Sequence, residues 1–73
     1  MANKIIYDAL LKKYDADITD ASAKITILMT ETRIIPEHID VTGEIDKLLG
    51  KIEEAESRMA ILQRVYGIND AVN

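Results

Sequence analysis

The chain has no cysteine, tryptophan or phenylalanine, and only one histidine and one proline. The absence of cysteine excludes disulfides and thiolate chemistry, and His38 alone leaves no ligand cluster for a zinc site. With 73 residues the chain forms one domain at most, and a domain this small buries only about 60% of the surface that its unfolded chain exposes. We therefore expect a partner chain to supply stability that disulfides or a metal would otherwise provide.

Long apolar runs are also missing. None approaches the ~20 residues that span a bilayer, and no unbroken apolar segment with a small-residue cleavage site follows Lys4, so we expect neither a signal peptide nor a transmembrane segment. Hydrophobic residues at 48% and a net charge of −4 are typical of a folded, weakly acidic, soluble protein. The expected location is the reducing cytoplasm.

The sequence lacks the motifs of catalysis and of cofactor binding. It contains no G-x-x-x-x-G-K-[ST] loop, no G-x-G-x-x-G, no H-E-x-x-H and no Glu-x-x-His pair. The aspartates of DADITD do not form an EF-hand loop, since the required sixth glycine and twelfth glutamate are replaced by Asp20 and Thr26. We interpret His38 as a solvated loop side chain, and we predict no enzyme, no cofactor and no catalytic, cofactor-binding or metal-ligating residue.

Breakers of regular structure cluster at two places, the segment IPEHIDVTG and the late segment YGIND. Gly50 is the exception, and we interpret it as a glycine tolerated within the second helix. The chain is therefore predicted to be a single helical-hairpin domain with a helix over 3–34, a turn over 35–42, a helix over 43–66 and a short tail over 67–73. Pro36 disfavours the α conformation at the residue before it. Thr42 is the predicted N-cap of the second helix, and Gly67 the predicted left-handed residue after it.

The stretch SAKITILMTETRII, residues 22–35, carries conflicting signals. Its β-branched residues favour a strand. Its apolar residues instead continue a spacing of three and four residues that runs along most of the chain, which predicts helices with one apolar stripe each. We call these two stripes the seam; its predicted members are Tyr7, Leu11, Tyr14, Ile18, Ala21, Ile25 and Leu28, and Ile45, Leu48, Ile52, Ala55, Met59, Leu62 and Tyr66.

The first helix has one weak point. The segment 15–22 is rich in short polar side chains that favour caps over helix interiors, so a break with Asp17 or Thr19 capping a second helix is an alternative. The apolar spacing passes through the segment unshifted, which favours one continuous helix.

Two long helices joined by a short turn are predicted to lie antiparallel as a coiled-coil-like hairpin. If the residue numbers of facing pairs add up to about 75 to 78, Leu10 faces Val65 and Met29 faces Leu49. The same alignment places Asp17 near Arg58, but also Lys24 near Lys51 and Glu31 near Glu44.

Some apolar residues remain outside the seam. The candidate partner face comprises Ile27, Ile34, Ala60 and Ile61. A hairpin has no second layer to cover them, so the expected assembly is a homodimer that forms a four-helix bundle. A longer coiled-coil oligomer or a different protein partner are alternatives, and so is scattered surface exposure without a role.

The resulting functional prediction is a non-enzymatic protein–protein interaction or assembly protein, such as an adaptor, small chaperone, inhibitor or structural spacer. The alternative is a small dimeric nucleic-acid-binding regulator. It is disfavoured because basic residues alternate with acidic ones and no basic arm or aromatic platform is present. Membrane binding is not expected, since an interfacial helix needs a lysine-rich face with Trp or Phe.

Overall fold

Two helices make up the described part of the protein. The structure is a computed structural model that describes residues 2–30 and 40–67, with the α1 side chains from Lys4 onwards. Helix α1 spans Ala2–Thr30 and helix α2 spans Val41–Tyr66. They pack against each other as a hairpin, which confirms the all-α prediction. Over these two ranges no residue lies in a strand.

Several predictions concern residues beyond the described ranges. These are the end of the first helix at residue 34, most of the turn over 35–42, the tail after Gly67, and the residues Ile34 and His38. Helix α2 begins at Val41, two residues before the predicted start.

Helix α1 is continuous through 15–22, so the predicted alternative of a break there is wrong. Two of the three aspartates of this segment form ion pairs with lysines one turn away. The Lys13 ammonium lies 3.5 Å from the Asp17 carboxylate, and the Lys24 ammonium lies 3.0 Å from that of Asp20. Such pairs stabilise a helix by a few tenths of a kcal/mol each.

The β-branched stretch is helical as far as the structure describes it, to Thr30. The Thr26 hydroxyl donates a 3.0 Å hydrogen bond to the Ser22 carbonyl, and the Thr30 hydroxyl donates one of 2.7 Å to the Thr26 carbonyl. Threonine tolerates a helix because its hydroxyl can bond to the carbonyl four residues back. The strand propensity of this stretch is thus outweighed by local hydrogen bonds and by the apolar stripe.

The cap of α2 differs from its prediction. Asp40, not Thr42, is the N-cap: its carboxylate accepts a 3.1 Å hydrogen bond from the Gly43 N–H and another of 3.1 Å from the Thr42 hydroxyl. A carboxylate is the better cap because it accepts both bonds and complements the positive end of the helix dipole. Glu44 then lies in the first turn.

The other end of α2 also differs from its prediction. Gly67 is not left-handed, with φ −57° and ψ 135°. Its N–H still donates a 3.1 Å hydrogen bond to the Gln63 carbonyl, four residues back, as in an ordinary helix. This bond satisfies the Gln63 carbonyl, so no left-handed residue is needed to cap it.

We expect Asp40→Ala to lower the free energy of unfolding by about 1 kcal/mol, because the Gly43 N–H loses its acceptor. Urea denaturation at fixed protein concentration measures the change. The control is Asp46→Ala, which removes an exposed carboxylate of α2 that has no hydrogen-bond role among the described residues. Equal losses in the two variants would contradict the assignment of Asp40 as the cap.

The core between the helices is thin. Among the described residues only Ala21, Leu48 and Ala55 are buried, with 1%, 7% and 4% of their surface exposed. Two of the three are alanines, which allow the helix backbones to approach each other closely. The molecule measures 54 × 19 × 16 Å, so it is a single layer of helices. Each helix therefore has a large surface that no other part of the described chain covers.

Candidate functional site

The predicted seam residues can now be placed. Ala21, Leu48 and Ala55 are buried, whereas Tyr66 is 69% exposed. Tyr66 is the last residue of α2. The remaining ten are half-buried: Tyr7, Leu11, Tyr14, Ile18, Ile25, Leu28, Ile45, Ile52, Met59 and Leu62.

The grooves between the helices give the alignment. Asp17 and Arg58 line one groove, and Lys24 and Lys51 line part of the next, so the numbers of facing residues add up to about 75. At the open end the Tyr7 hydroxyl lies 3.5 Å from the position that a Cβ on residue 67 would occupy. The helices are therefore antiparallel, and the beginning of α1 lies beside the end of α2.

These grooves also separate the two sides of the hairpin. The groove at Asp17 and the groove at Lys24 share Lys51, so they lie on the same side of the hairpin. Residues seven positions before or after the groove residues lie on the same side of each helix and belong to the same face. We call it the mixed-charge face. It comprises Ile6, Leu10, Lys13, Asp17, Asp20, Lys24 and Ile27 of α1, and Glu44, Lys47, Lys51, Glu54, Arg58, Ile61 and Val65 of α2.

A third groove, lined by Lys12, Asp15 and Gln63 together with seam residues, lies on the opposite side. Extended in the same way, this side is the acidic face. It comprises Ile5, Asp8, Lys12, Asp15, Thr19, Ser22, Thr26 and Met29 of α1, and Asp46, Leu49, Glu53, Glu56, Ala60 and Gln63 of α2.

The two faces differ in charge. The mixed-charge face carries five basic and four acidic side chains, a net charge of +1. The acidic face carries one basic and five acidic side chains, a net charge of −4. Even when Lys4 is added, whose ammonium lies 3.4 Å from the Asp8 carboxylate, the acidic face keeps a net charge of −3.

Ion pairs on the mixed-charge face are all local. Those between described residues join Lys13 to Asp17, Lys24 to Asp20, Lys47 to Glu44 and Arg58 to Glu54, at 3.0 to 3.5 Å. Each lies within one helix, so Asp17 and Arg58 share a groove without pairing. Because five basic and four acidic side chains share this face, its net charge is only +1, and it offers a phosphate backbone no concentrated positive charge. The nucleic-acid alternative gains no support from it.

Large apolar side chains are exposed on both faces. On the mixed-charge face Ile6, Ile27, Ile61 and Val65 are 61%, 46%, 46% and 51% exposed. Ile5, Met29 and Leu49 are 75%, 63% and 52% exposed on the acidic face.

The predicted partner face is therefore not one surface. Ile27 and Ile61 share the mixed-charge face, but Ala60 lies on the acidic face because consecutive helical residues point about 100° apart. The sequence reasoning did not include Ile6, although it lies three steps of seven residues before Ile27 on the same stripe.

Within residues 2–30 and 40–67, no three histidine, cysteine, aspartate or glutamate side chains are grouped so that they could hold a metal ion. Neither α1 nor α2 has an apolar stretch long enough to cross a lipid bilayer. No protein-family model, no curated protein and no solved structure matches this chain.

Proposed function

We propose that this protein is a non-enzymatic assembly protein that self-associates through its helices and presents a helical surface to another protein. The observation that carries the proposal is the poor coverage of its apolar side chains. Leu48 is the only large side chain that is buried among the described residues, while eight large hydrophobic side chains are about half exposed or more.

The accessible surface supports the same proposal. It is 5853 Å². A compact monomer of 8.2 kDa exposes roughly 4,500 Å². The excess of about 1,300 Å² exceeds the ~800 Å² that each partner contributes to a stable interface of standard size.

The expected assembly is a homodimer in which two hairpins stack into a four-helix bundle. Stacking turns a single layer of helices into two layers with one core, which is the usual way in which helical proteins bury an apolar stripe. The surface that remains exposed after stacking is then available to a different protein, as in an adaptor, chaperone, inhibitor or spacer.

Sedimentation equilibrium combined with circular dichroism over a range of protein concentrations tests the proposal. We expect a dimer whose dissociation on dilution is accompanied by loss of helix, because folding and association are linked when the monomer core is small. A cooperatively folded helical monomer over the whole range would contradict the proposal.

A further inference from the structure

We propose that the second copy of this chain packs on the mixed-charge face and leaves the acidic face to solvent or to a different partner. This inference rests on the proposed self-association and specifies its surface. The net charge of the two faces carries it, and the order of residues along the mixed-charge face and the exposure of Ile27 and Ile61 agree with it.

The net charge decides between the faces. In a symmetric dimer the same surface of both copies meets, so every excess charge on that surface is doubled. Two acidic faces would bring together ten carboxylates and two lysines, a net charge of −8. Two mixed-charge faces would carry ten basic and eight acidic groups, a net charge of +2. Like charges that meet in an interface oppose association, whereas mixed charges can pair across it.

The order of residues along the mixed-charge face suits self-association. Ile27 lies near the end at the turn, where Glu44 and Lys47 also lie, and Ile61 and Val65 lie towards the other end. Six of the nine charged residues of this face lie between the levels of Ile27 and Ile61. In the alignment of the hairpin, Ile61 is level with residue 14 of α1, about 20 Å from Ile27 at 1.5 Å per residue. Two separated apolar contacts around a charged centre hold two elongated molecules together more firmly than one contact would.

Exposure of the isoleucines agrees with this surface. Ile27 and Ile61 are each 46% exposed, so both retain surface that a partner can cover while their remaining surface packs on the hairpin. On the acidic face, Ile5 lies near one end and Met29 and Leu49 near the other, and carboxylates lie one turn from both groups: Asp8 from Ile5, and Asp46 and Glu53 from Leu49.

Two matched variants test the proposal. Ile27→Glu places a carboxylate on the mixed-charge face, and Met29→Glu places one on the acidic face, both in the last turn of α1. We expect Ile27→Glu to raise the dimer dissociation constant about 10- to 100-fold, since it removes the burial of a half-exposed isoleucine from each of the two copies. Met29→Glu should change the constant less than about 3-fold, because its surface stays in solvent. Sedimentation equilibrium measures both.

A second pair uses neighbouring residues of α2. Ile61→Glu should weaken the dimer as Ile27→Glu does, and Ala60→Glu should not, although both are exposed and adjacent. Circular dichroism at high protein concentration verifies that each variant remains helical. A variant that does not fold is replaced by Ile61→Ser, for which we expect the same direction with a smaller change.

Salt dependence gives an independent readout. A dimer on the mixed-charge face should change its dissociation constant less than about 5-fold between 50 mM and 500 mM NaCl, since attraction and repulsion are screened together. A dimer on the acidic face should become much tighter as salt screens its carboxylates.

The outcomes separate the two proposals. If Met29→Glu and Ala60→Glu dissociate the dimer while Ile27→Glu and Ile61→Glu do not, the assignment of the face is wrong and self-association stands. If the unmodified chain is a folded monomer at every concentration, self-association and the assignment are both wrong.

Discussion

Ala21→Asp is expected to remove a large part of the stability of the hairpin. Ala21 is 1% exposed, the most buried of the three buried residues among those described, and it lies level with Ala55 where the helices approach each other. A carboxylate at this position would be buried without a partner, at a cost of about 3 kcal/mol or more. At ~0.05 to 0.15 kcal/mol per residue, a chain of this length has only about 4 to 11 kcal/mol of total stability. Circular dichroism at 25 °C measures the loss of helix.

The control is Ala23→Asp, two residues further along the same helix. Ala23 is exposed, so the same change in side chain should leave the protein folded with a stability loss below about 1 kcal/mol. If Ala21→Asp retains the helix content and melting temperature of the unmodified protein, the helices do not meet at Ala21.

Leu48→Ala is expected to lower the free energy of unfolding by about 2 to 5 kcal/mol, the usual range for a leucine removed from a core. The side chain is 7% exposed, and the residues around it are mostly half-buried. Its neighbour Leu49 is 52% exposed, so Leu49→Ala should cost less than about 1 kcal/mol. Urea midpoints of the two variants, compared at one protein concentration, measure the difference. A loss at Leu49 as large as that at Leu48 would contradict the exposed position of Leu49 on the acidic face.

The helices were predictable because a spacing of three and four residues persists over many turns. Each additional turn with the same spacing strengthens the prediction of a helix. The strand propensity of a single stretch that contains Ile25, Thr26 and Ile27 therefore does not outweigh it. The continuity of α1 followed from the same phase, since Ile18 and Ala21 carry it through the polar segment.

The helix ends were less predictable. Asp40 and Thr42 are both good capping residues two positions apart, and only the backbone conformation decides which of them caps. Asp40 has an extended backbone at φ −86° and ψ 93°, which directs its carboxylate towards the Gly43 N–H. At Gly67 the residue type permitted a left-handed conformation without requiring it.

The faces were predictable in part. Steps of seven residues relate Ile27 to Ile6 and place them on one stripe, but the sequence of one helix does not indicate which stripe of the other helix lies beside it. That relation depends on the packing of α1 against α2, which brings Asp17 and Arg58 into one groove. The separation of Ala60 from Ile61, by contrast, follows from the helical rotation of about 100° per residue and does not depend on the packing.

The ion pairs of the described hairpin all lie within single helices, and this locality has a consequence for misalignment. If one helix moved by seven residues along the other, every one of these ion pairs would remain. The pairs therefore stabilise the helices but do not favour the native alignment of α1 and α2 over a shifted one. The alanines make that distinction. After a slip of seven residues, Ala21 would face Leu48 or Leu62, and Ala55 would face Tyr14 or Leu28. In either shifted alignment both alanines would face a large side chain, so the helices could not approach each other closely at those two positions. Of the three alignments, only the native one places the two alanines opposite each other.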